Sequence, residues 1–316
     1  MRAATIDRYG PPEVVQVGEV DDPRPGRDEV LVRVRAAAVS SGDARIRAAR
    51  FPPGFGVPAR LALGLRRPRR SILGGAFAGE VVALGAGVED GEFAPGTLVA
   101  GMSGVRLGAH AELMAVPARR LVPVPDGVDA DRAAGVLFGG TTAMWFLEER
   151  ATVTPGAAVL VNGASGAVGT VAVGLAARAG ATVTAVTSRN ADLVRRLGAT
   201  HVVDHTATSV TDLDERYDVV FDTVGNLTIR TGRPLLRDGG RLLLAVASLG
   251  DMVRARGDVR AGTSPERPET FARLLALVAA GDVDVVVEST FALDDIVAAH
   301  RVVDFGHKVG NVLVHP

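Results

Sequence analysis

The chain has 316 residues and a formal net charge of −1, with 47% hydrophobic and 22% charged residues. That composition fits one large or two medium globular domains with a sizeable core, and gives no electrostatic reason to expect a nucleic-acid partner. Cysteine is absent, which excludes disulfides, thiolate nucleophiles, cysteine-held zinc and iron–sulfur clusters. No apolar run follows the charges of the first eight residues, and no uncharged run is long enough for a bilayer. The expectation is a cytoplasmic protein without a membrane partner.

The first third predicts short strands between Gly/Pro turns. Residues 30–36 alternate apolar and polar, as a half-buried strand does. Residues 77–85 read as another strand, 93–101 as a turn and strand, and 110–117 as a short strand ended by proline. Together they suggest a compact barrel. Residues 51–71 have no clear element and hold Arg60, Arg66, Arg67, Arg69 and Arg70. Two readings stand for this loop: a basic gate for an acidic or carrier-linked acceptor, or a solvated or subunit-contact surface.

From residue 129 the pattern becomes helical, with an expected break at Gly139 and Gly140. Residues 157–161 then form an apolar strand, a glycine-rich turn follows, and 170–180 read as a closely packed helix. The turn carries the G-x-G-x-x-G spacing with one change: Ala164 at the first position, Gly166 and Gly169 at the second and third. Such a turn lets backbone approach a pyrophosphate at a helix start. A second strand at Thr182–Thr187 completes a strand–helix–strand unit. An NAD site wants a carboxylate at its end. Here Thr187, Ser188, Arg189 and Asn190 follow instead, and a hydroxyl with a guanidinium suits the 2′-phosphate of NADP.

The alternation continues. Residues 193–197 read as a helix stopped by Gly198, Val202 and Val203 as a short strand, and 217–225 as a buried strand ending in a loop. Residues 237–241 read as a turn before a strand at 242–247, and 270–280 as a helix capped by Gly281. Residues 309–314 read as a last strand returning to the first domain. This predicts an α/β chain with a doubly wound parallel sheet.

The segments Ala164 to Gly169, Asp222 to Gly225, Leu84 to Val88, Pro95 to Val99 and Gly306 to Val312 resemble the medium-chain dehydrogenase/reductase superfamily, in its zinc-free quinone oxidoreductase branch. The resemblance implies a GroES-like barrel domain, 1–123 with 264–316, around a Rossmann NADP-binding domain at 124–263. Zinc-dependent relatives have a cysteine where this chain has Ser40, and a histidine and glutamate where it has Gly75 and Ala76, a set that cannot hold tetrahedral zinc. The resemblance places Ala164, Ser165, Gly166, Ala167 and Val168 in the phosphate cradle. It assigns Thr142 to the nicotinamide side, Thr223 and Val224 to the loop beside the ribose, and Ala245, Val246 and Ser248 to the nicotinamide pocket. Lys308 and Asn311 belong to a tail reaching back to the cofactor. Many relatives have asparagine at Ser40 and tyrosine at His205 or Phe51. His205 remains a candidate for the adenosine phosphate; Phe51 cannot supply a proton. The other histidines, His110 and His300 among them, read as surface or satisfied core residues.

Without zinc, a conjugated acceptor is the natural substrate, because it takes hydride at one end and spreads charge to a distant oxygen. Ser40, Ser41 or backbone N–H groups are the candidate donors to that oxygen, and Asp43 reads as a structural carboxylate. The expected activity is NADPH-dependent reduction of a quinone or α,β-unsaturated carbonyl, and the resemblance implies a homodimer joined through an edge strand expected within 252–261. The alternatives are an enoyl-thioester reductase and a non-enzymatic NADPH-binding sensor or scaffold.

Overall fold

Six parallel strands form one sheet, in the spatial order His201–Asp204, Thr182–Thr187, Ala158–Asn162, Tyr217–Asp222, Leu236–Leu244 and Val259–Ala261. The computed structural model describes residues 1–89 and 91–316. Numbered along the chain, the sheet runs 3-2-1-4-5-6, the doubly wound dinucleotide order. Its central strands are continuous apolar runs because helices cover both faces: Val159, Leu160, Val161, Val220 and Phe221 are all 0% exposed. The chain leaves Ala158–Asn162 toward one edge and Tyr217–Asp222 toward the other, so a crevice opens at the ends of these two neighbours.

The second sheet runs Val287–Ala292, Asn311–His315, Glu29–Ala38, Ala76–Leu84, Leu98–Met102 and Leu121–Pro123, with Leu113–Pro117 also paired to Glu29–Ala38. In Glu29–Ala38 the residues Val30, Val32 and Val34 are buried while Arg33 and Arg35 face solvent, the alternation of a strand with one wet face. The molecule thus joins a GroES-like half to a Rossmann half. No described helix is long and apolar enough to cross a membrane.

Helix Ala130–Met144 touches Glu29–Ala38 and Ala76–Leu84 of the second sheet, and helices Ala167–Arg178 and Pro268–Ala279. One hydrophobic cluster therefore runs from Ala36 and Ala78 through Phe146 to Val159 and Phe221. Each large apolar side chain in it contributes about 1.5–3 kcal/mol by burial.

The expected break at Gly139 and Gly140 does not occur; the helix is continuous and ends in a π-type turn, Trp145–Ala151. These glycines serve packing. A Cβ at Gly139 would lie 2.2 Å from the Ala167 carbonyl oxygen, and one at Gly140 2.8 Å from a Leu274 methyl. The turn expected at 237–241 is instead part of strand Leu236–Leu244, which accommodates it through a register shift and a φ of +80° at Gly239. The expected edge segment divides into helix Leu249–Arg254 and strand Val259–Ala261. The unassigned loop contains a helix, Gly56–Leu63.

Candidate functional site

Strand Ala158–Asn162 runs into Gly163, whose φ is +82°. The left-handed turn thus falls one residue before Ala164. Ala164 is buried, with its amide donated to the Val186 carbonyl at 3.0 Å. Gly166 is the cap residue of helix Ala167–Arg178, and no side chain caps that helix. The three glycine positions do different work. A Cβ at Gly169 would fall 2.1 Å from the Gly163 carbonyl oxygen, so this glycine lets helix and strand touch. A Cβ at Gly166 would meet only that same oxygen, at 3.5 Å. The front of the turn is therefore open, and the first-turn amides of Ala167 and Val168 give it a positive dipole end. An open front before an uncapped helix start, with backbone packed behind it, fits a pyrophosphate.

The next strands bring their ends to the same place. The buried Thr187 hydroxyl donates to the Ser165 hydroxyl oxygen at 3.0 Å. His205 donates its amide to the Thr187 carbonyl at 3.3 Å and is itself exposed. Ser188 is half-buried; Arg189 is exposed and makes no ion pair among the described residues. No carboxylate lies between Thr187 and Asn190.

Asp222 organises the loop across the crevice. It is 0% exposed. Its carboxylate accepts the amides of Val224, Gly225 and Leu227 at 3.0–3.2 Å and the Asn162 side-chain amide at 2.9 Å. Burial pushes the Asp222 carboxyl up, and these donors pull it back. Thr223 donates its hydroxyl to the Asn162 carbonyl at 2.7 Å. Ala245 donates its amide to the Asp222 carbonyl at 3.0 Å, and Val246 fills the space beside Gly225. Ser248 caps helix Leu249–Arg254 by accepting the Asp251 amide at 3.0 Å.

The C-terminal tail reaches the same turn. Gly310 pairs with Gly166 in an isolated bridge and donates its amide to the Ser165 carbonyl at 2.8 Å. Lys308 folds back onto the Gly310 carbonyl at 2.5 Å. Burial pushes the Lys308 amine down to about 8, with Glu288 opposing. Asn311 donates its side-chain amide to the Val286 carbonyl at 3.0 Å.

The barrel-side candidates are arranged differently. Ser40 caps helix Ser41–Ala48 in a reciprocal box: its hydroxyl donates to Asp43 at 2.6 Å and accepts the Asp43 amide at 3.2 Å. Asp43 also accepts the Gly74 amide at 3.0 Å, so it is a structural carboxylate. Ser41 is exposed, without a side-chain bond among the described residues. Thr142 donates to the Phe138 carbonyl at 2.9 Å and lies 3.4 Å from the Ser264 hydroxyl. No bond links Ser40, Ser41 or Thr142 to the glycine turn among the described residues. No group of three or more metal-ligating side chains gathers there either.

Sequence reasoning did not single out Asn162 or Gly310. A polar residue ending an apolar strand was the available signal for Asn162. Nothing local marks Gly310. His300 also departs from the satisfied-core reading: it is 0% exposed, and neither ring nitrogen has a partner among the described residues. His110 does have one, the Ala38 carbonyl at 3.1 Å.

Residues 26–126 match the family described as alcohol dehydrogenase GroES-like domain, and residues 197–314 the one described as zinc-binding dehydrogenase. A quinone oxidoreductase of Pseudomonas aeruginosa is 29% identical over 332 residues, an alignment spanning 98% of this chain and 97% of that protein. The solved quinone oxidoreductase of Coxiella burnetii shares the fold, with a TM-score of 0.88 at 24% identity over 100% of this chain and 99% of that one. A mycobacterial protein solved in complex with NADPH gives a TM-score of 0.81 at 26% identity, over 100% of both chains. The chain belongs to the medium-chain dehydrogenase/reductase superfamily, in its quinone oxidoreductase-like branch.

Proposed function

We propose that this oxidoreductase transfers hydride from NADPH to a quinone or an α,β-unsaturated carbonyl without zinc. The observation that carries the reading is the open, uncapped helix start at Gly166, with Ser188 and Arg189 and no carboxylate at the end of the next strand. NADPH, when bound, supplies the hydride. The amides of Ala167 and Val168 meet the pyrophosphate, with Ala164, Ser165 and Gly166 forming the turn around it. Ser188 and Arg189 hold the 2′-phosphate, with Thr187 and His205 beside them. Thr223, Val224, Ala245, Val246 and Ser248 line the nicotinamide side, Thr142 orients it from the barrel face, and Lys308 and Asn311 close the tail over it.

The acceptor sits between this wall and the Ser40–Ser41 segment. The Ser40 hydroxyl is occupied by Asp43, so Ser41 and backbone amides are the donors for the developing oxyanion. Ser40, Gly75 and Ala76 cannot hold zinc as a tetrahedral ligand set. A homodimer joined at the edge strand Val259–Ala261 goes with this reading. A light-scattering mass near 32.6 kDa would reject the dimer.

The test is NADPH oxidation against neutral quinones and enones, before and after chelation. Turnover that persists in chelator supports the whole reading. Loss of turnover with removal of stoichiometric zinc overturns the metal-free part, and inactivity toward every quinone and enone overturns the acceptor class.

A further inference from the structure

Residues 44–79 carry eight arginines, at positions 45, 47, 50, 60, 66, 67, 69 and 70, and no aspartate or glutamate. Arg47 has a structural explanation: it is 0% exposed and holds both oxygens of Asp304 at 2.6 Å. Arg60 lies over the Tyr9 ring at 5.5 Å. Arg45, Arg50, Arg66, Arg67, Arg69 and Arg70 have neither an ion pair nor a side-chain hydrogen bond among the described residues, although arginines elsewhere pair readily, as Arg35, Arg233 and Arg267 do. Arg50, Arg66, Arg67, Arg69 and Arg70 are exposed. Arg45 is half-buried without a carboxylate nearby, and burial lowers its pKa with nothing opposing. Desolvating an unpaired guanidinium is costly unless an anion arrives.

The placement of this segment ties it to the candidate acceptor cleft. It leaves the helix that Ser40 caps and crosses to the parallel-sheet half, where Leu249 donates its amide to the Pro53 carbonyl at 2.9 Å. Gly54, at φ +89°, packs against the Leu249 side chain. Leu249 directly follows Ser248, Val246 and Ala245 of the proposed nicotinamide wall. The chain then forms helix Gly56–Leu63 and is pinned by the Tyr9 hydroxyl, which donates to the Gly64 carbonyl at 2.7 Å. Apolar side chains lie among the arginines: Val57, Leu61 and Leu65 are 71%, 59% and 61% exposed. The segment thus presents apolar surface and uncompensated positive charge together.

We propose that the acceptor is an amphiphilic anion: an apolar conjugated body bearing a carboxylate, sulfonate or phosphate that the Arg45–Arg70 strip holds at the cleft mouth. This rests on the hydride-transfer reading above and narrows its substrate class. Forked arginine contacts suit such oxyanions, and the field of several arginines raises the local concentration of the acceptor.

The experiment measures binding and turnover separately. Calorimetry reads the affinity of NADP-loaded protein for 1,4-naphthoquinone-2-sulfonate and for neutral 1,4-naphthoquinone. The protein variants are R45Q and the fourfold R66Q/R67Q/R69Q/R70Q, with thermal melting as a check of fold. We expect the sulfonate to bind the parent and to lose tenfold or more in affinity in at least one variant, with the neutral quinone changed less than twofold. Crotonyl-CoA and cinnamate distinguish the source of the charge: a thioester with distant phosphates depends on Arg66–Arg70, and a short conjugated acid depends on Arg45. Unchanged sulfonate affinity in both variants, or equal losses for charged and neutral quinones, overturns the inference even where NADPH oxidation proceeds. Charge-dependent binding without oxidation of NADPH by any acceptor would instead sink the hydride-transfer reading.

Discussion

The Gly310 amide lies 2.8 Å from the Ser165 carbonyl oxygen, so the C-terminal tail is hydrogen-bonded to the glycine turn itself. Gly310 has a φ of +61°, and a Cβ there would fall 2.2 Å from the Val286 carbonyl oxygen. Gly310→Ala should therefore destabilise the protein by about 1–3 kcal/mol and weaken NADPH binding by loosening the turn. Thermal melting and an NADPH fluorescence titration check both parts. A destabilised variant with parental NADPH affinity would show that the tail does not brace the cradle.

Gly166 and Gly169 should respond differently to the same substitution. Gly166 has φ −80° and ψ 175°, angles open to any residue, and the space ahead of it is clear. Gly166→Val should keep a cooperative melt and lose NADPH binding, since the side chain takes the place of the phosphate. Gly169→Val forces backbone against Gly163 and should lower stability directly. Undiminished NADPH affinity in Gly166→Val would reduce the turn to a structural feature.

Cofactor choice should depend on Arg189. Loss of one charge-assisted contact costs about 1.5–3 kcal/mol. Arg189→Ala should weaken NADPH by roughly tenfold or more and leave NADH unchanged. Equal affinities of the parent for NADPH and NADH would sink the assignment.

His300 should make the fold acid-sensitive. Burial, with His110 and Arg47 adding to it, pushes its pKa from 6.5 down to about 2. A depressed histidine pKa means that the unfolded chain takes up a proton which the native protein refuses. The penalty is absent above the unfolded value of 6.5, grows as pH falls below it, and levels off near 2. At pH 5 it amounts to about 2 kcal/mol. Denaturant titrations at pH 7 and pH 5 should show this loss in the parent and less of it in His300→Leu. The same pH dependence in both proteins would remove His300 as the cause.

Much of this was legible in the sequence. Strand Thr182–Thr187 was readable to the residue because β-branched side chains fill it and a turn bounds it. The parallel sheet followed from the alternation of apolar runs and helical segments. Gly139 and Gly140 misled because local propensity carries no information about what faces a helix; the Ala167 backbone explains Gly139 and the Leu274 side chain explains Gly140. The strip from Gly56 to Arg70 was opaque for a related reason, since its helix has apolar and basic residues on its exposed face. In the candidate site, the glycine turn came from spacing and the end of the next strand from its residue types, while the remaining positions came from the family resemblance. The Ser40–Asp43 box has the spacing of a capping box and bears out the reading of Asp43 as a structural carboxylate, whereas the Gly310 contact depends on where a distant amide finds a partner, which spacing does not encode.

Strand Asn311–His315 lies inside its sheet, between Val287–Ala292 and Glu29–Ala38. It is made after every other described strand, yet it occupies an interior place. The parallel sheet has all six of its strands once Ala261 has been made. During synthesis the nucleotide half can therefore close first, while the Ala37–Ala38 end of Glu29–Ala38, beyond its pairing with Leu113–Pro117, waits for a partner made more than two hundred and fifty residues later, a long loop to close. Translation order and sheet order run against each other here, and a ribosome stalled shortly before Asn311 would carry one finished half beside one that still lacks an interior strand.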